Sequence, residues 1–136
     1  MRLRKIWLLC NLVCIIPSAF AQQFIHPGVL HSEKSLERIK RLVDQKAQPA
    51  YGSYEILAKL PEARADYQMK GPFEIISRDG KYGYTKGPSE RDFNSAYYNA
   101  LLWKITGKKA HADKSMEIIR AYARTVRQIP PTNDAP

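Results

Sequence analysis

The sequence is poor in cysteine and histidine. Its 136 residues contain two cysteines, Cys10 and Cys14, so no disulfide framework and no cysteine metal site can form beyond residue 14. A chain without disulfide bonds or cysteine metal sites is held together by its hydrophobic core alone. The three histidines, His26, His31 and His111, show none of the close spacings of a metal-binding motif. We therefore expect no metal and no cofactor.

The sequence also has no apolar run long enough to span a bilayer. The longest run, Ile6 to Ile16, is interrupted by Asn11 and falls short of the roughly 20 residues that a membrane helix needs. A basic stretch precedes it, and the small-x-small tripeptide Ala19-Phe20-Ala21 follows it. This order is typical of a secretory signal peptide. We predict that residues 1–21 are removed, that the mature chain starts at Gln22, and that it is periplasmic or secreted without a stable membrane anchor.

Acidic residues are fewer than basic ones. The chain has 22 lysines and arginines against 13 acidic residues, a formal net charge of +9, which falls to +6 without residues 1–21. A basic surface attracts polyanions. Since an exported protein does not meet nucleic acid in the cell, acidic polysaccharide or anionic lipid headgroups are the expected partners. The alternative is an ordinary soluble surface with scattered charge.

No stretch alternates long enough for a sheet, and apolar residues recur at helical spacing instead. The pattern predicts an all-α fold in which Gly107 closes the third helix and the last two helices form an antiparallel hairpin. The predicted helices run from Ser32 or Ser35 to about Ala47, from Ala50 to Leu60, from the N-cap Ser89 to Thr106, and from Lys109 to Gln128. The residues expected to face inward are Phe93, Tyr97, Ala100, Leu101 and Ile105 in the third helix, and Ala112, Met116, Ile119, Ala123 and Val126 in the fourth.

A long loop rich in glycine, proline, lysine and tyrosine separates the second and third helices, from Pro61 to Ser89. Loops of this length in a compact domain are usually functional or disordered. Cations there can bind carboxylates and flat rings can stack on sugar faces, whereas a solvated surface loop is the plain alternative. The candidate substrate-binding residues are Arg78, Lys81, Tyr82, Tyr84 and Lys86.

Other polar residues are weaker candidates. Carboxylates could pair as acid and base within Glu62/Asp66 or within Asp79/Glu90/Asp92, but their spacing does not single them out. His111 stands at the start of the fourth helix, where we expect it to face solvent or to cap the helix. His26 precedes Pro27-Gly28 and is expected in a turn.

Three segments carry a resemblance to a known family. They are the opening Phe24-Ile25-His26-Pro27-Gly28-Val29-Leu30-His31, the turn Ser77-Arg78-Asp79-Gly80, and the hairpin Ala100 to Gly107 with Ala110 to Lys114 and Ile118-Ile119. Together they resemble the alginate-lyase domain family over nearly all of Phe24 to Val126. The glycine-rich stretch after the Ser-Arg turn is thinner here than in that family and carries Lys81, Tyr82 and Lys86.

The resemblance implies a fold and an activity. The fold would be an (α/α) toroid of helical hairpins, of which residues 22–136 would form the N-terminal portion. The activity would be β-elimination of a polyuronate without a metal. The family's Asn-His catalytic pair belongs after the hairpin, so the catalytic residues are expected downstream of Pro136. A non-enzymatic helical-repeat binding module and a toroid glycoside hydrolase are the alternatives.

A first prediction follows from the expected place of the catalytic pair. The purified chain should release no unsaturated uronate from alginate, because it would bind substrate without the groups that move protons. Ultraviolet absorbance of the reaction mixture measures this product, with an intact alginate lyase as the positive control. Release of product above the enzyme-free background would contradict the prediction.

Overall fold

The computed structural model describes residues 30–131, which form four α-helices and two short 3₁₀ helices. Within this range no strand forms, so the predicted all-α class is confirmed. The predicted signal segment, the His26 turn and residues 132–136 lie outside the described residues. The α-helices are α1 (Glu33–Asp44), α2 (Ala50–Lys59), α3 (Lys86–Thr106) and α4 (Lys109–Thr125), and the 3₁₀ helices are Pro61–Ala63 and Gly80–Thr85.

Helix α1 is bounded by a serine N-cap at its start and by a residue in the left-handed conformation just after its end. Of the two predicted caps, Ser32 is the one used: its hydroxyl accepts a hydrogen bond from the Ser35 amide at 3.2 Å. The helix ends at Asp44, earlier than predicted, because Lys46 takes the left-handed conformation with φ of 53°. Its apolar side packs on α2 and α3, with Leu36 and Val43 buried.

Helix α3 begins three residues before the predicted cap. Ser89 is not an N-cap: it lies in the first turn, where its hydroxyl donates to the Lys86 carbonyl at 3.0 Å. Pro88 is accommodated there because first-turn amides need no helical partner. The predicted end is confirmed. Gly107 adopts φ of 71° and donates its amide to the Trp103 carbonyl at 2.7 Å.

The buried face of α3 is mostly polar from Ser89 to Asn99 and apolar at Leu102 and Ile105. Ser89, Asp92, Ser95 and Asn99 are at most 1% exposed and recur every three or four residues, which places them on one face. This face packs against the irregular segment that follows α2, whose backbone groups need polar partners. Of the residues predicted to face inward, Ile105 is buried and is confirmed, whereas Phe93 and Tyr97 were wrong, since they are 44% and 40% exposed.

The inward face of α4 differs from the predicted one by one residue. Ser115, Ile118 and Tyr122 are buried, whereas Met116 and Ile119, predicted to face inward, are 42% and 51% exposed. The rotation of about 100° that one residue represents brings Tyr122 onto the polar face of α3. The predicted hairpin is confirmed, but its centre combines apolar packing with hydrogen bonds.

The chain after α4 returns to the long loop and fixes it in place. Arg127 donates its amide to the Glu74 carbonyl at 2.8 Å, and Ile76 donates to the Gln128 carbonyl at 3.1 Å. These bonds end α4 at Thr125, short of the predicted Gln128. The segment around Glu74 is thus a hydrogen-bonded part of the fold rather than a free loop.

None of the helices in residues 30–131 combines the length and the apolar character that crossing a bilayer requires.

Adjacent isoleucines on α4 provide a test of its orientation. Ile118→Ala should lower the free energy of unfolding by about 2–5 kcal/mol, because Ile118 is fully buried among Tyr67, Ala96 and Tyr122. Ile119→Ala, the matched control, should cost less than about 1 kcal/mol. Urea unfolding measures both. If Ile119→Ala lowered the free energy of unfolding more than Ile118→Ala, the face predicted from the sequence would be the buried one.

Candidate functional site

The site is built on Asp92, a fully buried carboxylate in α3. Its Oδ1 accepts hydrogen bonds from the Tyr67 hydroxyl and the Lys70 amide, both at 2.8 Å. Its Oδ2 accepts from the Tyr122 hydroxyl at 2.7 Å and from the Gly71 amide at 2.8 Å. Charge-assisted bonds of this kind are short and strong. They fix the Tyr67–Gly71 segment against both helices of the hairpin.

The two tyrosines that bind Asp92 remain protonated donors. Burial, with added contributions from the hydrogen bond to Asp92 and its negative charge, raises the pKa of the Tyr67 and Tyr122 hydroxyls well above the ordinary value of 10.0. Neither hydroxyl can therefore act as a base near neutral pH. Gly71 fits closely here, because a Cβ at its position would collide with the Tyr122 hydroxyl and the Phe73 ring.

Asn99 supplies a second anchor on the same helix face. Its amide nitrogen lies within hydrogen-bonding distance of the Glu62 carbonyl at 3.2 Å and the Arg64 carbonyl at 3.3 Å. Its Oδ1 lies 2.7 Å from His111 Nδ1. An amide oxygen can only accept, so His111 carries its proton on Nδ1.

His111 was therefore wrongly predicted to face solvent or to cap its helix. It is half-buried and bonded to Asn99 across the hairpin. Burial, with a smaller contribution from the positive charge of Lys108, lowers the pKa of its imidazole below 6.5. The neutral ring thus joins α4 to α3.

These anchors shape an open groove of about 450 Å³ beside the first turn of α3. The volume falls within the range of small-molecule sites. Phe73 and Tyr84 lie edge to face in it, with ring centroids 6.5 Å apart and planes at 83°. We call it the basic groove, and its lining residues are Lys70, Phe73, Tyr84, Gly87, Pro88 and Arg91.

The charge of the basic groove is positive and unbalanced. Lys70 and Arg91 line it, and no acidic residue does. Within residues 30–131, neither cation takes part in an ion pair. Lys70 is placed by the bond from its backbone amide to Asp92, and Arg91 is the neighbour of Asp92 in α3. One buried anion thus positions two exposed cations.

The structure separates the five residues predicted to bind substrate. Tyr84 lies in the basic groove. Arg78 and Lys86 line a smaller cleft on the other side of the first turn of α3. Lys81 lies over the ring of Tyr82 at 5.3 Å, in a cation–π contact within the loop, and neither residue lines either cavity.

Sequence reasoning missed Lys70, Phe73 and Arg91. The signals available were modest: the segment Lys70-Gly71-Pro72-Phe73 combines a cation, a turn and a ring, and Arg91 adjoins the carboxylate that proves to be buried. Periodicity could not reveal that Asp92 faces inward, because a charged residue is rarely fully buried.

Asp92 and Asp66, from the candidate carboxylate pairs, are not placed to act as an acid and a base. Both oxygens of Asp92 are occupied by structural donors, so it is unavailable as an acid or base. Asp66 forms a two-point bond with Arg64 at 2.8 Å, and that hydrogen bond lowers the pKa of Asp66. In the part of the chain from 30 to 131, no three histidine, aspartate or glutamate residues gather closely enough to hold a metal ion.

The buried tyrosines predict a loss of stability in alkali. Below about pH 10 the folded and unfolded chains both keep these protons, and the stabilisation is complete. Above it the unfolded chain releases protons that the folded chain retains, so the free energy of unfolding falls by up to about 1.4 kcal/mol per pH unit for each tyrosine. Urea unfolding across this range should show a shallower fall in the Tyr67→Phe/Tyr122→Phe double variant.

Tyr51→Phe in α2 is the matched control, and it should retain the alkaline slope of the unmodified chain. An unchanged slope in the double variant would show that the two buried hydroxyls are not the groups responsible.

Comparison of the chain with protein-family models, with curated proteins and with solved structures gave no match. The resemblance to the alginate-lyase family therefore stays a prediction. The chemistry of the basic groove is the structural ground on which a function can be proposed.

Proposed function

We propose that the chain binds an acidic polysaccharide, a polyuronate, in the basic groove, as the N-terminal portion of an exported alginate-type lyase. The observation that carries this proposal is the pair Lys70 and Arg91, two cations in a groove that no acidic residue lines and that also presents two aromatic rings. In this proposal the four helices are the first hairpins of an (α/α) toroid.

Each lining residue suits one part of a uronate. The Arg91 guanidinium can hold a carboxylate through two parallel hydrogen bonds, and the Lys70 ammonium adds a mobile point charge. Phe73 and Tyr84 offer flat apolar surfaces to the faces of sugar rings. Gly87 leaves the rim open, since a Cβ at its position would meet no atom within 4 Å beyond its chain neighbours and its own helix backbone.

The same cations serve the chemistry of β-elimination. Removal of the C5 proton of a uronate places negative charge on its carboxylate, and a fixed positive charge there lowers the barrier to the step. Lys70 and Arg91 can supply that neutralisation. The base that takes the proton and the acid that protonates the leaving oxygen are carried over from the family resemblance, not from the groove.

A second candidate function is a helical module that binds a protein partner. The outward side of the α3–α4 hairpin favours it, because Phe93, Tyr97, Met116 and Ile119 are each 40% exposed or more. Tyr97 is partly covered by His31, whose ring stacks on it and whose Nε2 lies 2.7 Å from its hydroxyl. This surface has no charge selectivity, so the two candidates differ in the ligand they predict.

Calorimetric titration with a uronate oligosaccharide tests the leading proposal. Arg91→Ala and Lys70→Ala should each weaken binding about tenfold, the effect of losing one charge-assisted contact. Binding should also weaken as salt is added, because the groove is open to solvent.

Arg38→Ala, which removes an exposed cation of α1 outside the groove, should bind as the unmodified chain does. A neutral oligosaccharide of equal length should bind weakly or not at all. Equal binding of neutral and acidic sugars, or no binding of either, would rule out the proposal.

A further inference from the structure

The first turn of α3 separates the basic groove from a second cleft. Gly87, Pro88 and Arg91 border the basic groove, whereas Lys86, Ser89 and Phe93 border the other side. This second cleft has a volume of about 160 Å³. Its polar lining is Ser77, Arg78, Lys86, Ser89 and Glu90, and its apolar floor includes Ile76 and Phe93.

We propose that one polyuronate chain crosses the first turn of α3 over Gly87 and occupies both the basic groove and the second cleft. The inference rests on the proposed function and specifies its ligand: an oligomer long enough to bridge the two cavities, rather than a single uronic acid. A helix with its side chains is about 10–12 Å wide, so one sugar cannot contact both sides of α3.

The second cleft has the chemistry of a sugar site with a weaker charge. Lys86 and Glu90 line it with opposite charges. Glu90 can accept hydrogen bonds from sugar hydroxyls, which need acceptors as well as donors. Ile76 and Phe93 offer an apolar floor for a ring face. The basic groove, with two cations and no acid, is therefore the stronger carboxylate site.

No side chain stands at Gly87, on the first turn of α3 between the two cavities. This residue is exposed, and apart from its chain neighbours and the backbone of its own helical turn, no atom lies within 4 Å of a Cβ built on it. A polymer backbone can thus pass over the helix without displacing a side chain. A large side chain at position 87, on the rim of the basic groove, would stand in that path.

Two connected sites give a length dependence that one site does not. Once one part of the polymer is bound, the second part binds at a high effective concentration, and the overall affinity rises without new contacts. Lys86 should then matter only for oligomers that reach it. Arg91 should matter for oligomers of every length.

The test is calorimetric titration of the full chain with uronate oligomers from the dimer to the octamer. The octamer should bind at least about tenfold more tightly than the dimer. Lys86→Ala should remove most of that gain and leave dimer binding unchanged, whereas Arg91→Ala should weaken both. Lys34→Ala, an exposed cation of α1 outside both cavities, is the matched control for Lys86→Ala.

A second variant pair tests the crossing point directly. Gly87→Trp should reduce octamer affinity to that of the dimer, whereas Gly87→Ala should retain the octamer advantage. Unchanged circular dichroism would show that both variants fold.

The outcomes separate the two proposals. If the dimer binds through Arg91 but the octamer gains nothing and is insensitive to Lys86→Ala, the bridging inference is wrong and the proposed function stands. Retention of the full octamer gain by Gly87→Trp also overturns the bridging inference. If no oligomer binds, both proposals fail.

Discussion

The fold of this chain depends on the burial of one negative charge. Asp92 is removed from solvent, and its two oxygens accept hydrogen bonds from two tyrosine hydroxyls and two backbone amides. An unpaired buried carboxylate would be strongly unfavourable, so Asp92 requires these donors. The donors in turn require Asp92 as their acceptor. They come from two parts of the chain: the segment after α2, which supplies Tyr67 and the two amides, and α4, which supplies Tyr122.

This requirement explains why the hairpin is arranged contrary to its apolar pattern. The inward face of α3 has to satisfy the backbone groups of an irregular segment, so serine, aspartate and asparagine occupy it. The aromatic residues next to them are consequently exposed, and α4 turns so that Tyr122 reaches the carboxylate. The exposed positions of Phe93 and Ile119 follow from the same arrangement.

The candidate site shows where prediction from sequence succeeded and where it did not. Of the residues expected to form a basic, aromatic surface near the long loop, Tyr84 lies in the basic groove and Arg78 and Lys86 line the neighbouring cleft, and their role in binding stays a prediction. Lys70 and Arg91 were missed because they are 21 positions apart in the sequence. The hydrogen bonds of Asp92, with those of Asn99, join the segment after α2 to α3, and no local pattern encodes these contacts.

Local chemistry along the chain was enough to predict the helical class, a serine cap at the start of α1 and the hairpin closed by Gly107, because each depends on residues within one or two turns. Contacts between distant segments set which face of each helix is buried, which side chain His111 bonds, and which cations share a groove. Those outcomes depend on pairing buried polar groups across distant segments. The cost of leaving Asp92 or Asn99 without partners outweighs the gain from burying the more apolar neighbouring face.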